Sequence, residues 1–412
     1  MLHSLLDFLL SRSKWNKALL LAQERLLAIA FWSGQRFGVG RRDAPDSQNV
    51  VNDATIKEYA WHYDSEVPVS LEIMSQCAVH YSQDNHLDSG HLQTRFSYRL
   101  TEVPMASLCS NGTTHVSIFD ARDICIPDLS YVKYRRSQRR SAFARRHLAI
   151  DQYVEGLSLN LYGNVENAAG NYGHWMVDGI GLLYLALQHY SLEQFDQFVV
   201  PAMKYDFQRD SLLAIGIPAE KIMEIPPLSC FRFERLLCAT APRGVSSSNT
   251  PGWLIDGYRQ ALLPAATSPR GRRLYISRRD AGSRKFINEE DIIALLEKYG
   301  FESVEMSNHD FAEKVALFAD AECIIGLTGA GLTNLMFCQS DARIVEMFPA
   351  SYVTYFYASM AGHLGLNYRP LIFENHSVLS SVNKYYGNLS LDIALLEQCV
   401  EDLLAQTQVP AS

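Results

Sequence analysis

The sequence predicts an α/β fold made of two parallel-sheet units around a cleft, and three observations carry that expectation. From Leu274 onward, short apolar runs alternate with stretches of helical period, the pattern of a parallel sheet with right-handed crossovers. The same alternation occupies 157–241, and the Gly-, Ser- and Pro-rich segment Arg243–Gly252 between the two suits a hinge. Lastly, the loop Gly326-Leu327-Thr328-Gly329-Ala330-Gly331-Leu332-Thr333-Asn334 stands between an apolar run and a helix expected to open near Leu332. Such a loop lets backbone N–H groups and the positive end of a helix approach a phosphate.

Each element has its own local reason. Leu274–Ser277 reads as a strand, and Asn288 is placed to cap a helix with an acidic first turn (Glu289, Glu290, Asp291), apolar Ile292, Ile293, Leu295 and Leu296, and Gly300 just past its end. Phe301–Met306 alternates as a strand does. Asp310 is placed to cap a helix carrying Phe311, Val315 and Phe318 at helical spacing, and strands follow at Cys323–Leu327 and Arg343–Phe348. In the earlier unit Leu157–Leu161, Gln197–Val200, Lys221–Ile225 and Phe231–Ala241 read as strands, with helices at Trp175–Tyr190 and Phe207–Ile215. Short runs at Val67-Pro68-Val69, Phe96-Ser97-Tyr98, Val116–Phe119 and Ile124–Ile126 make the preceding region β-rich, and Asp392–Leu404 has a terminal amphipathic period. The expected division is a helical segment over 1–40, a linker at Arg41–Asp53, a β-rich region over 50–150, α/β units over 151–245 and 250–375, and a tail over 376–412.

Composition narrows the function. A net charge of −8 gives no global signal for nucleic acid. The eight cysteines include no C-x-x-C pair, and several sit in apolar runs, so buried reduced thiols in a reducing compartment are expected. No metal-ligand cluster stands out. Residues 1–38 are rich in Leu, Phe and Trp, but their longest uncharged apolar run, Leu26–Gly34, is too short to span a bilayer. Two readings stand open there: an interfacial helix with Trp15 and Trp32 at the lipid boundary, or a helical hairpin packed on the body or on a second subunit. The basic run Tyr131–His147 suits an anionic acceptor or lipid, or simply a solvated face.

Four groups of residues are suited to chemistry. On a helix behind Asn171-Tyr172-Gly173, His174 and Asp178 stand four apart on one face and form a plausible acid–base pair. Ser277-Arg278-Arg279, followed by Arg284-Lys285, puts cations past a strand end, where arginine binds a diphosphate bidentately. The Gly loop offers N–H groups to the same anion. Glu346, near the end of a strand, is placed to accept hydrogen bonds from ribose hydroxyls.

Three motifs together carry a family resemblance. Asn171-Tyr172-Gly173-His174-Trp175-Met176-Val177-Asp178 resembles the Asn-[Tyr/Phe]-x-His-Trp-x-x-Asp signature of glycosyltransferase family 61, the capsular polysaccharide biosynthesis type. Tyr275–Ala281 with Arg284 and Asn288-Glu289 resembles its second signature, and Gly329–Asn334 with Glu346–Pro349 its third. The resemblance covers about Leu157 to Pro370. It implies a GT-B-like architecture, two Rossmann-like domains facing a cleft, here with a helical and β-rich N-terminal extension. It further implies inverting transfer from a nucleotide sugar, usually a UDP-sugar, to a glycan or lipid-linked glycan in surface polysaccharide synthesis, with no cofactor and no obligatory metal. Carried over, the roles are catalytic for Asp178 and His174 and acceptor-side for Asn171, Tyr172 and Trp175. Ser277 and Glu346 are assigned to the nucleoside. The diphosphate falls to Arg278, Arg284, Lys285, Thr328, Gly329, Ala330, Gly331, Leu332, Thr333 and Asn334. The expected location is cytoplasmic, with residues 1–38 touching the inner face of the membrane if they bind lipid at all. One departure stands out: the family usually has His before Gly-Ala-Gly, and this chain has Thr328. The competing readings are a nucleotide-sugar or glycan-binding subunit without turnover and a dinucleotide oxidoreductase; the incomplete Gly-x-Gly-x-x-Gly pattern disfavours the second.

Overall fold

The computed structural model describes residues 57–64, 73, 95–110, 116–130, 150–162, 170–244, 248–263, 271–375 and 387–405. The expected helical segment 1–40, the linker Arg41–Asp53, the strand at Val67-Pro68-Val69, the basic run Tyr131–His147 and much of the tail 376–412 lie outside the described residues. No helix among the described residues is long and apolar enough to cross a membrane.

The first sheet contains β1 (Lys57–Asp64), β2 (Arg95–Pro104), β3 (Ser107–Ser110), β4 (Val116–Phe119), β5 (Gln152–Asn160), β6 (Gln197–Pro201), β7 (Ile222–Ile225) and β8 (Cys230–Ala239). Its order is β1-β2-β8-β5-β6-β7, and β3 pairs with both β8 and β4. The four strands β8, β5, β6 and β7 run parallel, whereas β1, β2 and β3 are added antiparallel. The β-rich region is therefore continuous with the first α/β unit through β8. Cys109 and Cys230 face each other in the β3–β8 register and are joined by a disulfide. This corrects the expectation of reduced thiols for that pair, because the long-range pairing that brings them together is invisible in local spacing. Cys125, Cys238, Cys323, Cys338 and Cys399 are buried free thiols.

The second sheet is wholly parallel: β9 (Arg272–Ser277), β10 (Phe301–Glu305), β11 (Ala321–Leu327), β12 (Arg343–Pro349) and β13 (Asn367–Phe373), in the order β10-β9-β11-β12-β13. In chain order that is 2-1-3-4-5, a doubly wound sheet whose direction of winding reverses between β9 and β11, the place where such sheets hold ligands. The helices used below are α1 (Asp206–Ala214), α2 (Gly252–Leu262), α3 (Glu289–Lys298), α4 (Phe311–Ala319), α5 (Phe356–Leu364) and α6 (Ile393–Ala405). Asp310 caps α4 in a reciprocal box with Glu313, at 2.8 and 2.9 Å. Asn288 does not cap α3; its amide is drawn to both backbone groups of Leu391.

One hydrophobic core runs through both units, taking in Leu159 and Trp175 from the first and Ile276, Phe311, Leu332 and Phe337 from the second. A second cluster, with Tyr275, Ile292, Ile325, Val345 and Leu396, covers the other face of the parallel sheet, as an all-parallel sheet requires. The segment expected as a hinge is fastened. Ser248, Asn249 and Thr250 are buried. The Ser359 hydroxyl of α5 donates to Asn249 Oδ1 at 2.7 Å and accepts from the Thr250 N–H at 3.3 Å. Its Gly, Ser and Pro content reads as flexible only until these tertiary bonds satisfy its polar groups.

Candidate functional site

Asn171 starts the site helix, its side-chain oxygen accepting from the His174 N–H at 3.2 Å. The helix begins as Tyr172–His174, widens into a π turn over Trp175–Gly179 and continues as Gly181–Ala186. Its first turn lies on the Gly-rich loop. A Cβ at Gly173 would come within 2.9 Å of Thr333 Oγ1, so a larger residue there would have to displace that hydroxyl. The Tyr172 hydroxyl donates to Asn334 Oδ1 at 2.5 Å.

His174 Nδ1 lies 2.6 Å from Asp178 Oδ2. Asp178 is 1% exposed, whereas the His174 side chain is 34% exposed. Arg243 clamps the same carboxylate, donating from Nε to Oδ1 at 2.9 Å and from Nη2 to Oδ2 at 2.6 Å. Burial alone would raise the Asp178 carboxyl, but the Arg243 guanidinium and then His174 outweigh it and hold it well below the usual carboxylate range. An ionised carboxylate only accepts hydrogen bonds, so Nδ1 carries a hydrogen directed at Asp178 and Nε2 is the ring nitrogen left free of it. Asp178 is buried with both oxygens engaged, and His174 is the exposed member of the pair.

The switch point is lined by two arginines. Arg278 follows β9; its Nε donates to the Arg284 carbonyl at 3.2 Å and its Nη2 to the Ser283 carbonyl at 3.0 Å. Its Nη1 lies against Gly329, where an added Cβ would overlap it. Arg284 has a left-handed φ of 54° and sets its guanidinium 4.8 Å over the Tyr352 ring, and its buried Nε has no hydrogen-bond partner. Burial, and then the charge of Arg284, push Arg278 down to about 10. Neither arginine forms an ion pair with an acid among the described residues. Two adjacent cations at the switch point, neither in an ion pair among the described residues, are chemically suited to a polyanion.

Other expected site residues lie elsewhere. Trp175 is fully buried, its Nε1 donating to Ser211 Oγ at 2.9 Å, so it is a core residue and not part of an acceptor surface. Ser277 is buried, its hydroxyl donating to Glu289 Oε1 at 2.8 Å. Lys285 Nζ donates to the Arg279 carbonyl. Within the loop, Leu332 joins the core, Thr333 lies 3.3 Å from the Tyr357 hydroxyl, and the Asn334 amide donates to the Gly331 carbonyl at 2.9 Å. These three side chains build the loop; Ala330 and Gly331 are its half-exposed members. Thr328 is buried, its N–H donating to the Met347 carbonyl at 3.0 Å. Glu346 is fully buried and accepts from the Tyr368 hydroxyl at 2.6 Å. Burial pushes its carboxyl up to about 8 against the opposing pull of Tyr368, Thr328 and Arg284; it is a buried carboxyl and not an exposed ribose acceptor. Arg243 was missed by sequence reasoning. It follows the carboxyl end of β8, and the rule that sites gather at such ends of parallel strands would have found it.

A mixed α/β protein with a doubly wound sheet, an arginine-lined switch point and a His–Asp pair beside it is the class these features define. Residues 172–345 match the family model described as Glycosyltransferase 61. The chain is 27% identical over 219 residues to the β-1,2-xylosyltransferase XAX1 of Oryza sativa subsp. japonica, covering 51% of this chain and 36% of that protein. It is 28% identical over 154 residues to the EGF domain-specific O-linked N-acetylglucosamine transferase of Drosophila melanogaster, covering 34% of this chain and 29% of that protein. The chain thus spans about a third of the length of the curated relatives it matches. Among solved structures, the iron-containing dodecameric glycosyltransferase TibC from enterotoxigenic E. coli H10407 aligns at 11% identity with a TM-score of 0.27, over 75% of this chain and 93% of that one; a score that low carries no argument.

Proposed function

We propose that the protein is an inverting glycosyltransferase that moves a sugar from a nucleotide donor, a UDP-sugar, to a glycan hydroxyl without an obligatory metal. The single observation that carries this reading is the adjacent Arg278–Arg284 pair, with Arg278 Nη1 against Gly329 and the buried Arg284 Nε without a hydrogen-bond partner. The family-model match over 172–345 and the two relatives named as transferases support it. In the proposed reaction the acceptor hydroxyl gives its proton to His174 Nε2 as its oxygen attacks C1 of the sugar. The C1–oxygen bond to the diphosphate breaks on the opposite face, and its electron pair leaves with the nucleoside diphosphate. Arg278, Arg284 and N–H groups of the loop meet the growing negative charge, and such preorganised electrostatics usually supply the largest catalytic term. Asp178 keeps the imidazole oriented. The acceptor as a surface glycan, and a GT-B-like placing of the two units, follow from the family resemblance and belong to the same proposal.

The test is binding and slow hydrolysis of a panel of nucleotide sugars by the purified protein, with and without EDTA. Hydrolysis of one UDP-sugar that resists the chelator is the expected result and names the donor. Binding without turnover, even with acceptors added, would make the protein a binding subunit; absence of all binding would overturn the anion-site assignment.

A further inference from the structure

We infer that Arg243 is a positioning residue for the reaction proposed above, acting through Asp178 to keep His174 a neutral base with its Nε2 lone pair free. The inference rests on that reading of the site. Arg243 lies outside all three motifs and contacts both Asp178 oxygens, at 2.9 and 2.6 Å. A bidentate guanidinium fixes the plane of a carboxylate, which a point charge does not. The Arg243 side chain is only 14% exposed, and its guanidinium lies 4.8 Å over the Phe356 ring. It is therefore held from the second unit while it holds a residue of the first.

A buried carboxylate without a counter-charge either takes up a proton or holds a neighbouring imidazole as imidazolium. Arg243 prevents both: Asp178 stays an acceptor for Nδ1–H, and its charge is already balanced. The other ionisable groups around the helix start are phenols, Tyr172 on the helix, Tyr258 from α2 and Tyr357 from α5, all pushed up by burial. The Lys314 ammonium stands 5.7 Å over the Tyr172 ring and donates to the His309 carbonyl. None of them pairs with Asp178.

The experiment combines histidine-ring 15N NMR on the full chain, assigned with His174→Ala, and the pH profile of nucleotide-sugar turnover. Wild type is expected to carry the His174 hydrogen on Nδ1. Arg243→Gln is expected to shift His174 toward imidazolium at neutral pH, lower kcat by about 10- to 100-fold with KM little changed, and move the acid limb of kcat/KM up by roughly one pH unit. Arg243→Lys, which keeps charge but loses the bidentate grip, should recover part of the rate, and it also serves as the test if Arg243→Gln does not fold. An Nε2-protonated His174 in wild type, or an Arg243→Gln protein with unchanged ring shifts and an unchanged acid limb, would overturn the inference. A wild type that turns over no nucleotide sugar yet shows the Nδ1–H ring and its response to Arg243→Gln would sink the transferase reading while leaving the Arg243 effect on His174 standing.

Discussion

Glycine at 329 leaves the space that Arg278 Nη1 occupies. A methyl there must displace the guanidinium from the loop, while the extended backbone at 329 (φ 166°) tolerates any residue. Gly329→Ala should therefore fold normally but bind UDP about 10- to 100-fold more weakly, the cost of one charge-assisted contact, as read by titration calorimetry. Glu346 gives a pH prediction of defined sign. Its folded value of about 8 is raised from an ordinary 4.5, so the folded state retains a proton that the unfolded state gives up. Its stabilising contribution is complete below pH 4.5 and is lost as the pH rises to about 8. The melting temperature should fall across that window, and Glu346→Gln, which keeps a partner for Tyr368, should flatten the fall. An equally steep wild-type and variant curve would assign the pH dependence to another group. At this scale the sequence was half legible. The i, i+4 pair His174/Asp178 and the cations Arg278 and Arg284 were readable from residue type and spacing. Ser277 and Trp175 were misread, since nothing local says which way a side chain at a strand end or helix start will point.

The contact between the site helix and the Gly-rich loop is one of elements. Tyr172 and Asn334 are 162 positions apart, yet their bond at 2.5 Å pins the helix that carries His174 to the loop beside Arg278. Tyr172→Phe leaves the buried Asn334 oxygen without its donor, which should cost about 1–3 kcal/mol of stability in urea denaturation, with a larger loss of turnover than of UDP binding. Capping of α4 by Asp310 was legible because the box is written within four residues; the failure of Asn288 to cap α3 was not, since Leu391, which takes its amide, is 103 positions away. The π turn over Trp175–Gly179 was equally hidden: apolar period announces a helix but not a turn one residue wider. Such widened turns recur at functional sites, and this one carries Asp178.

Across the whole molecule, the shared core makes the two units one cooperative body. Calorimetry should show a single unfolding transition for the described fold. Reduction of the Cys109–Cys230 bond, which closes a separation of 121 residues, should lower its midpoint by roughly 5 °C or more; no shift would mean that the two thiols are not joined in solution. Two resolved transitions would mean that the units unfold independently, as the hinge reading of Arg243–Gly252 expects. By itself the sequence determined the α/β class, the alternation of strands and helices on both sides of Arg243–Gly252, and the presence of a His–Asp pair and a cationic strand end. These are written in period and residue type over a few neighbouring positions. Only the tertiary structure decided that Arg243 clamps Asp178, that Glu346 is buried, that Cys109 meets Cys230, and that Asn249 and Thr250 are fastened to α5. Each of these depends on burial and on partners far along the chain, and local pattern carries no information about either.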